Sequence, residues 1–243
     1  MSEHLPNDLL ASNHAQNLLE RTGKDKIGIA FNLITDSYSN YDNFLNTMPN
    51  KFKNEYGLFE EFPCKKGCSS CCYLPVQVIE PEIIAIISLI HEKYGVFGIK
   101  KYAQKAISAA EKISGYLDED RKNISVACPF LESGSCAVYE RRPFACRAYI
   151  STSLEACNLH KEDPLGNHST HISKTAQTQQ KLYLEHIFRV SKILGIKCGV
   201  FDLIEISESA LRDPDRFAKN IQNGNWGMGS TSKVYSYGSL ADY

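Results

Sequence analysis

Eight of the nine cysteines fall into two groups of four along the chain. The first group lies in the stretch CKKGCSSCC, residues 64–72, and the second is spread over residues 128–157. Cysteines two or three residues apart on a tight turn can direct their sulfur atoms to one metal, at about 2.3 Å from it. Neighbouring side chains of an extended chain point to opposite sides, so one of the adjacent Cys71 and Cys72 is expected to serve a second metal or to pack. The predicted ligands are Cys64, Cys68, Cys71, Cys72, Cys128, Cys136, Cys146 and Cys157.

The remaining composition favours metal binding over a disulfide framework. The first residues lack the basic start and apolar run of a secretory signal, so we expect a cytoplasmic protein whose thiols stay reduced unless a metal or a catalytic task uses them. The apolar run at 83–90 is too short to cross a bilayer and indicates a buried helix. A net charge of -1 provides no general attraction to nucleic acid or to an anionic membrane, and neither is expected as a partner.

Three arginines surround one cysteine of the second group. Arg141, Arg142 and Arg147 flank Cys146, and a centre of four thiolates around Zn²⁺ or an iron–sulfur cluster carries net negative charge. We therefore predict that these arginines help to bind the cofactor by offsetting its charge. A solvated basic face is the alternative interpretation.

The periodicity of apolar residues predicts a mainly α fold. Helices are expected over residues 27–49, 81–95, 99–114, 172–194, 201–211 and 214–221. The helices at 81–95 and 99–114 are predicted to form an antiparallel pair. Between 117 and 165 the periodicity disappears, so the helices are expected to pack around an irregular cysteine-rich core that metal orders.

The same pattern suggests four segments within one compact domain. They are an N-terminal helical segment (1–60), a cysteine-cluster core with an inserted helix pair (61–165), C-terminal helices (166–223) and a flexible tail (224–243). The tail is rich in glycine, serine and tyrosine. A zinc-stapled interaction module, whose tail engages a protein partner, is therefore an alternative function without catalysis.

Three motifs occur in order along residues 63–150: CKKGCSSCC, then VQVIEPEI leading into a helix, then CPFLESGSCAVYERRPFACRAY. Together they resemble the YkgJ-like CxxCxxCC cysteine-cluster family, whose domain is described as zinc- or iron-chelating. It implies metal chelation by the cysteines named above, with Cys157 as the eighth. The first spacing is three residues here, where the family's name implies two, so the turn at Cys64 is expected to differ.

Zinc and an iron–sulfur cluster both fit this donor set. The Cys128-Pro129 pair and the arginines favour iron–sulfur, which would add an electron-transfer or redox-sensing role. Among the histidines, His160 stands out because Cys157 precedes it by three residues, and it could complete a mixed site if Cys72 faces away.

Two enzymatic alternatives remain open. The spacing of Cys64, Cys68 and Cys71 also matches the C-x3-C-x2-C pattern of radical-SAM enzymes, although the alternating strands and helices of their barrel are not evident. Flagellin lysine methylases carry a similar cysteine domain, but no glycine-rich cofactor loop is present here.

Overall fold

The computed structural model describes residues 5–56, 64, 66–116, 120–121, 124–163, 172–196 and 198–225. Within these ranges the protein is mainly helical, as the sequence predicts. The helices are α1 (Leu5–Thr22), α2 (Lys26–Tyr56), α3 (Glu80–Ile113), α4 (Phe144–Ala148), α5 (Leu154–Glu162), α6 (Lys174–Ile193), α7 (Leu203–Arg212) and α8 (Pro214–Gln222). None of these described helices is both long and apolar enough to cross a lipid bilayer.

Four short strands join the helices in two antiparallel pairs. Strand β1 (Gln77–Ile79) pairs with β4 (Val200–Asp202), and β2 (Leu131–Glu132) forms a hairpin with β3 (Ser135–Cys136). Two 3₁₀ turns, at Ser70–Tyr73 and Tyr139–Arg141, complete the regular structure of the described residues. The strands of this part of the chain form only two-stranded sheets, and no alternating barrel of the radical-SAM kind is built from them.

Helix α3 turns back on itself at Gly95, where the sequence predicts a helix end. Gly95 has φ 60° and ψ -155°, a conformation essentially confined to glycine. A Cβ built on Gly98 would lie 3.3 Å from the carbonyl oxygen of Ile90, eight residues earlier, whereas eight residues of a straight helix span about 12 Å. The predicted helix end is therefore confirmed, and a second helical segment follows it; the antiparallel arrangement stays a prediction.

Two of the predicted helix boundaries are wrong, unlike the one at Gly95. Helix α2 was expected to end at 48–49 but continues to Tyr56, because the apolar stripe marks only the part of a helix that packs on the core. The helix expected over 201–211 begins at Leu203, because residues 200–202 form β4. Helix α6 agrees closely with the range predicted at 172–194, and α8 with that predicted at 214–221.

Two large clusters of buried side chains form the core. One joins α1, α2 and α6, with Leu18, Leu33 and Ile187 at its centre. The other joins α3 and α7, with Ile86 and Ile206 among its members. The first cluster contains residues from three of the predicted segments, 1–60, 61–165 and 166–223. These three segments therefore share a core. The four-part division itself stays a prediction, and the tail lies outside the described residues after Asn225.

The segment between α3 and α6 contacts both clusters. Phe130 and Val138 are buried in the α3–α7 cluster, while Phe144 and Ala148 of α4 are buried in the α1–α2–α6 cluster. This segment was expected to be irregular, yet it contains the hairpin and two short helices. Each piece is too short to give a periodic signal, but buried aromatic or aliphatic side chains fix the hairpin region and α4.

Candidate metal centre

The first cysteine group lies on a tight turn followed by a 3₁₀ turn. Gly67 has φ 96°, which only glycine adopts readily, and it lies in a turn just before Cys68. Cys71 and Cys72 lie in the 3₁₀ turn. The Cys64 Sγ accepts a hydrogen bond from the backbone N–H of Ser151, with the nitrogen and sulfur 3.4 Å apart. The first group is therefore held against the segment between α4 and α5.

The second group is carried by the hairpin and by α4. Cys128 immediately precedes the hairpin, Cys136 lies in β3, and Cys146 lies in α4. Gly134, with φ 78°, allows the hairpin turn. The backbone N–H of Ala137 donates to the carbonyl of Phe130 at 2.9 Å, which extends the pairing beyond the two strands.

Cys157 comes from α5, which packs against the 3₁₀ turn of the first group. The helix begins at Ser153, whose side chain caps it by accepting from the N–H of Ala156 at 3.1 Å. The hydroxyl of Ser70 donates to Asn158 Oδ1 at 2.6 Å, and Lys161 Nζ lies 4.4 Å from the centre of the Tyr73 ring. These contacts place the fourth cysteine of the second group beside the first group.

A backbone hydrogen bond joins the two groups directly. The N–H of Cys128 donates to the carbonyl of Cys72, with the two atoms 2.7 Å apart. The helical excursion of α3 thus begins just after one cysteine group and returns the chain to it. The structure brings together the two regions that the sequence analysis expected to converge.

Cys71 affects the pKa of thiols in both cysteine groups. Burial is the main cause of the raised pKa of five other thiols, and the nearby Cys71 thiol raises each pKa further by charge repulsion. The five are Cys64, Cys128, Cys136, Cys146 and Cys157. Cys71 itself has a raised pKa, first because its side chain hydrogen-bonds that of Cys72 and then because it is buried. A set of thiols that resists ionisation in this way gains most from a bound cation, which favours the thiolates.

The described cysteine side chains of the two groups do not form a metal coordination shell. Among the described residues, no three His, Cys, Asp or Glu side chains stand close enough together to hold a metal ion. No described cysteine forms a disulfide.

The three arginines predicted to help bind the cofactor have different surroundings. Arg142 is near the thiols, because its charge opposes the rise in pKa that burial causes at Cys136. Its guanidinium lies 4.0 Å from the Tyr139 ring centre, and its Nε is buried without a hydrogen-bond partner in the described structure. Arg141 instead lies over Phe31, at 5.1 Å from the ring centre.

Arg147 is buried and binds the protein itself. Its Nε donates to the carbonyl of Arg142 at 2.8 Å and its Nη2 to the carbonyl of Glu140 at 2.7 Å. Its Nη1 pairs with the carboxylate of Asp42, and the guanidinium lies over the Tyr38 ring at 4.0 Å. Arg147 thus clamps the chain between Cys136 and Cys146 onto α2.

Glu82 fixes the same region, and the sequence analysis did not find this role. Its carboxylate accepts hydrogen bonds from the hydroxyl of Tyr38 at 3.1 Å and from the N–H groups of Ile79 at 2.9 Å and Phe144 at 2.7 Å. Burial raises the pKa of Glu82 to about 6, against the lowering effect of these donors. The sequence predicts only that a helix begins near this residue; a buried carboxylate that holds α4 leaves no mark in the local pattern.

Cys198, which is not among the predicted ligands, lies apart from the two cysteine groups. It lies just before β4, with its Sγ 3.3 Å from the Ser191 hydroxyl oxygen. Burial, followed by the charge of Glu80, raises the pKa of Cys198 to about 12.

The described histidines lie in three settings. His14 and His186 join α1 to α6 through ring nitrogens 2.9 Å apart. His91 is exposed, and His160 lies in α5 with a buried Nδ1 that has no partner in the described part of the chain. The three others, His4, His168 and His171, fall outside the described residues.

The sequence, now placed in its fold, matches a known family over residues 63–183, roughly half of the chain. The match covers both cysteine groups, α3 and the start of α6, and the family is CxxCxxCC, described as "Putative zinc- or iron-chelating domain". The protein belongs to this class of cysteine-cluster metal-binding proteins. The family description supports zinc or iron as the metal. No curated protein and no solved structure shows significant similarity to the chain.

Proposed function

We propose that the cysteines of the two groups hold an iron–sulfur cluster that serves electron transfer or redox sensing, with zinc as the alternative metal. The observation that carries the proposal is the backbone hydrogen bond from Cys128 to Cys72, 2.7 Å long, which brings the two cysteine groups together. Thiols that repel one another as they ionise favour a cationic centre. The donor set, eight cysteines, suits zinc and iron–sulfur clusters alike.

Several groups of the chain are suited to such a centre. The N–H of Ser151 already donates to the Cys64 sulfur, and hydrogen bonds to ligand sulfurs tune the potential of iron–sulfur clusters. The unpartnered Nε of Arg142 is a second donor that a thiolate or sulfide could satisfy. Bound iron–sulfur would supply one-electron chemistry, and burial of Cys128 and Cys146 would limit the access of water to it.

The metal is identified by purifying the full chain without oxygen. An iron–sulfur protein will be brown, with broad visible absorption that bleaches on reduction, and will contain iron and acid-labile sulfide. A colourless protein with stoichiometric zinc would reject the redox role but keep the metal-binding function. A protein that holds neither metal after reconstitution would reject the proposal.

The ligands are tested with three matched cysteine variants. Cys68→Ser and Cys146→Ser should lower metal content and destabilise the protein, since each removes a sulfur from the gathering. Cys198→Ser is the control: it also replaces a buried thiol but lies outside the site, so it should keep full metal content. Equal metal occupancy in all three variants would contradict the ligand assignment.

A further inference from the structure

His160 is placed on the face of α5 that also carries Cys157. Residues three apart in a helix are neighbours on its surface, so the imidazole and the thiol lie on adjacent turns of one face. The same helix packs on the 3₁₀ turn of the first cysteine group through the Ser70–Asn158 hydrogen bond. His160 thus lies on the helix that brings Cys157 to the first cysteine group, one turn after that thiol.

The imidazole has a buried nitrogen with nothing to bind. Nδ1 of His160 is inaccessible to solvent and has no hydrogen-bond partner in the described structure. Leaving a buried polar atom unsatisfied costs about 1–3 kcal/mol, and such atoms in native proteins call for an explanation. A neutral imidazole nitrogen next to thiols is a common metal ligand, and a metal would satisfy it.

Contacts with Ser151 show which thiol of the first group lies beside Cys157. The Cys64 Sγ accepts a hydrogen bond from the N–H of Ser151 at 3.4 Å, and the side chain of Ser151 hydrogen-bonds Cys157. One residue just before α5 therefore contacts a sulfur atom from each cysteine group.

We propose that His160 is a metal ligand and completes a mixed centre with Cys64, Cys157 and one further thiol of the first group. This inference rests on the proposed metal-binding function and extends it to a non-cysteine donor. The thiols near the hairpin then form a separate, all-thiolate centre. With His160 included there are nine donors for two four-coordinate centres, so one of the adjacent Cys71 and Cys72 is surplus.

The direct test is nuclear magnetic resonance of the full chain loaded with a spin-active cadmium isotope, with nitrogen-labelled histidine. Cadmium accepts the same thiolate and imidazole ligands as zinc. We expect a one-bond coupling between cadmium and a ring nitrogen of His160, assigned by its loss in His160→Ala. Bound cadmium without any coupling to His160 would overturn the inference and leave the proposed function intact. Failure of the wild-type chain to bind cadmium, zinc or iron would instead reject the proposed function.

Variants give a second readout. His160→Ala should weaken binding of one metal equivalent by about ten-fold or more, because loss of even outer-shell partners costs that much. His160→Cys should restore the affinity by supplying a thiolate in place of the imidazole. The control is His91→Ala, which removes an exposed histidine of α3. Equal metal affinity of His160→Ala and His91→Ala would also overturn the inference.

Discussion

Replacing Arg147 by lysine separates the charge of this residue from its geometry. The guanidinium makes three directed contacts, to the carbonyls of Glu140 and Arg142 and to the carboxylate of Asp42, while only 2% of the residue is exposed. Lysine keeps the positive charge but has a single nitrogen on a flexible stem. We expect that nitrogen to keep the carboxylate contact and to leave both carbonyls without their donor.

The magnitude follows from the two lost hydrogen bonds. A hydrogen bond to a charged group contributes about 1.5–3 kcal/mol, so losing two should lower the free energy of unfolding by about 3 kcal/mol or more. For a chain of this size each kcal/mol corresponds to about 2–4 °C, which predicts a fall in Tm of about 6–12 °C. Calorimetry of the metal-loaded protein would measure the change, and urea titration would check its size.

The matched control is Arg189→Lys on α6. Arg189 also pairs with an aspartate, Asp8, at 2.7 Å, but this pair is exposed and should contribute less than about 1 kcal/mol. If Arg147→Lys and Arg189→Lys unfold at the same temperature as the unmodified protein, the clamp is not structural. The sequence-based expectation, that Arg147 acts through its charge on the bound centre, would then be the better explanation.

Three further predictions concern the helical frame. Gly95→Ala should lower the free energy of unfolding by about 1–3 kcal/mol in urea titration, because alanine is strained at this backbone conformation. The space around the added Cβ is open, so the loss would come from the backbone alone. An unchanged free energy of unfolding would mean that α3 is not bent there. Tyr41→Phe should cost about 1 kcal/mol by removing the hydroxyl that donates to the carbonyl of Ala176 at 2.8 Å, and an unchanged unfolding midpoint would contradict that hydrogen bond. Burial lowers the pKa of both His14 and His186 below 6.5, so the unfolded chain binds more protons and stability should fall as the pH drops below about 6.5. The double variant with glutamine at both positions should lose this component of the acid dependence, and an identical pH profile would refute it.

The sequence predicts the long helices well because each buries one continuous stripe. The stripe of α6, with Ile187 and Val190 buried, can be recognised from spacing alone. The same criterion fails for α1, which no periodic pattern indicated, and for the part of α2 beyond its apolar stripe. Where packing does not impose a pattern, helix extent depends on weak local propensities.

The contacts around the cysteines could be foreseen only in part. Clustering in sequence indicated that Cys64 and Cys128 belong to regions that meet, and the hydrogen bond from Cys128 to Cys72 agrees with this. The pairing of β1 with β4 could not be foreseen, because strands of three residues carry too little pattern to define a register across more than a hundred residues. The roles of Arg147 and Glu82 were hidden as well, since each includes a partner distant in sequence: the carboxylate of Asp42 for Arg147 and the N–H of Phe144 for Glu82.

The cysteines of the two groups differ in their exposure to solvent. Cys64 is exposed, whereas each of the other seven cysteines of the two groups is at least partly covered. A chelator or an oxidant arriving from solvent would therefore meet Cys64 first, and the backbone N–H and carbonyl of Ser151 hold that sulfur to the segment behind it. Loss of metal would therefore begin at Cys64, next to the turn at Gly67, and reach the more buried cysteines later.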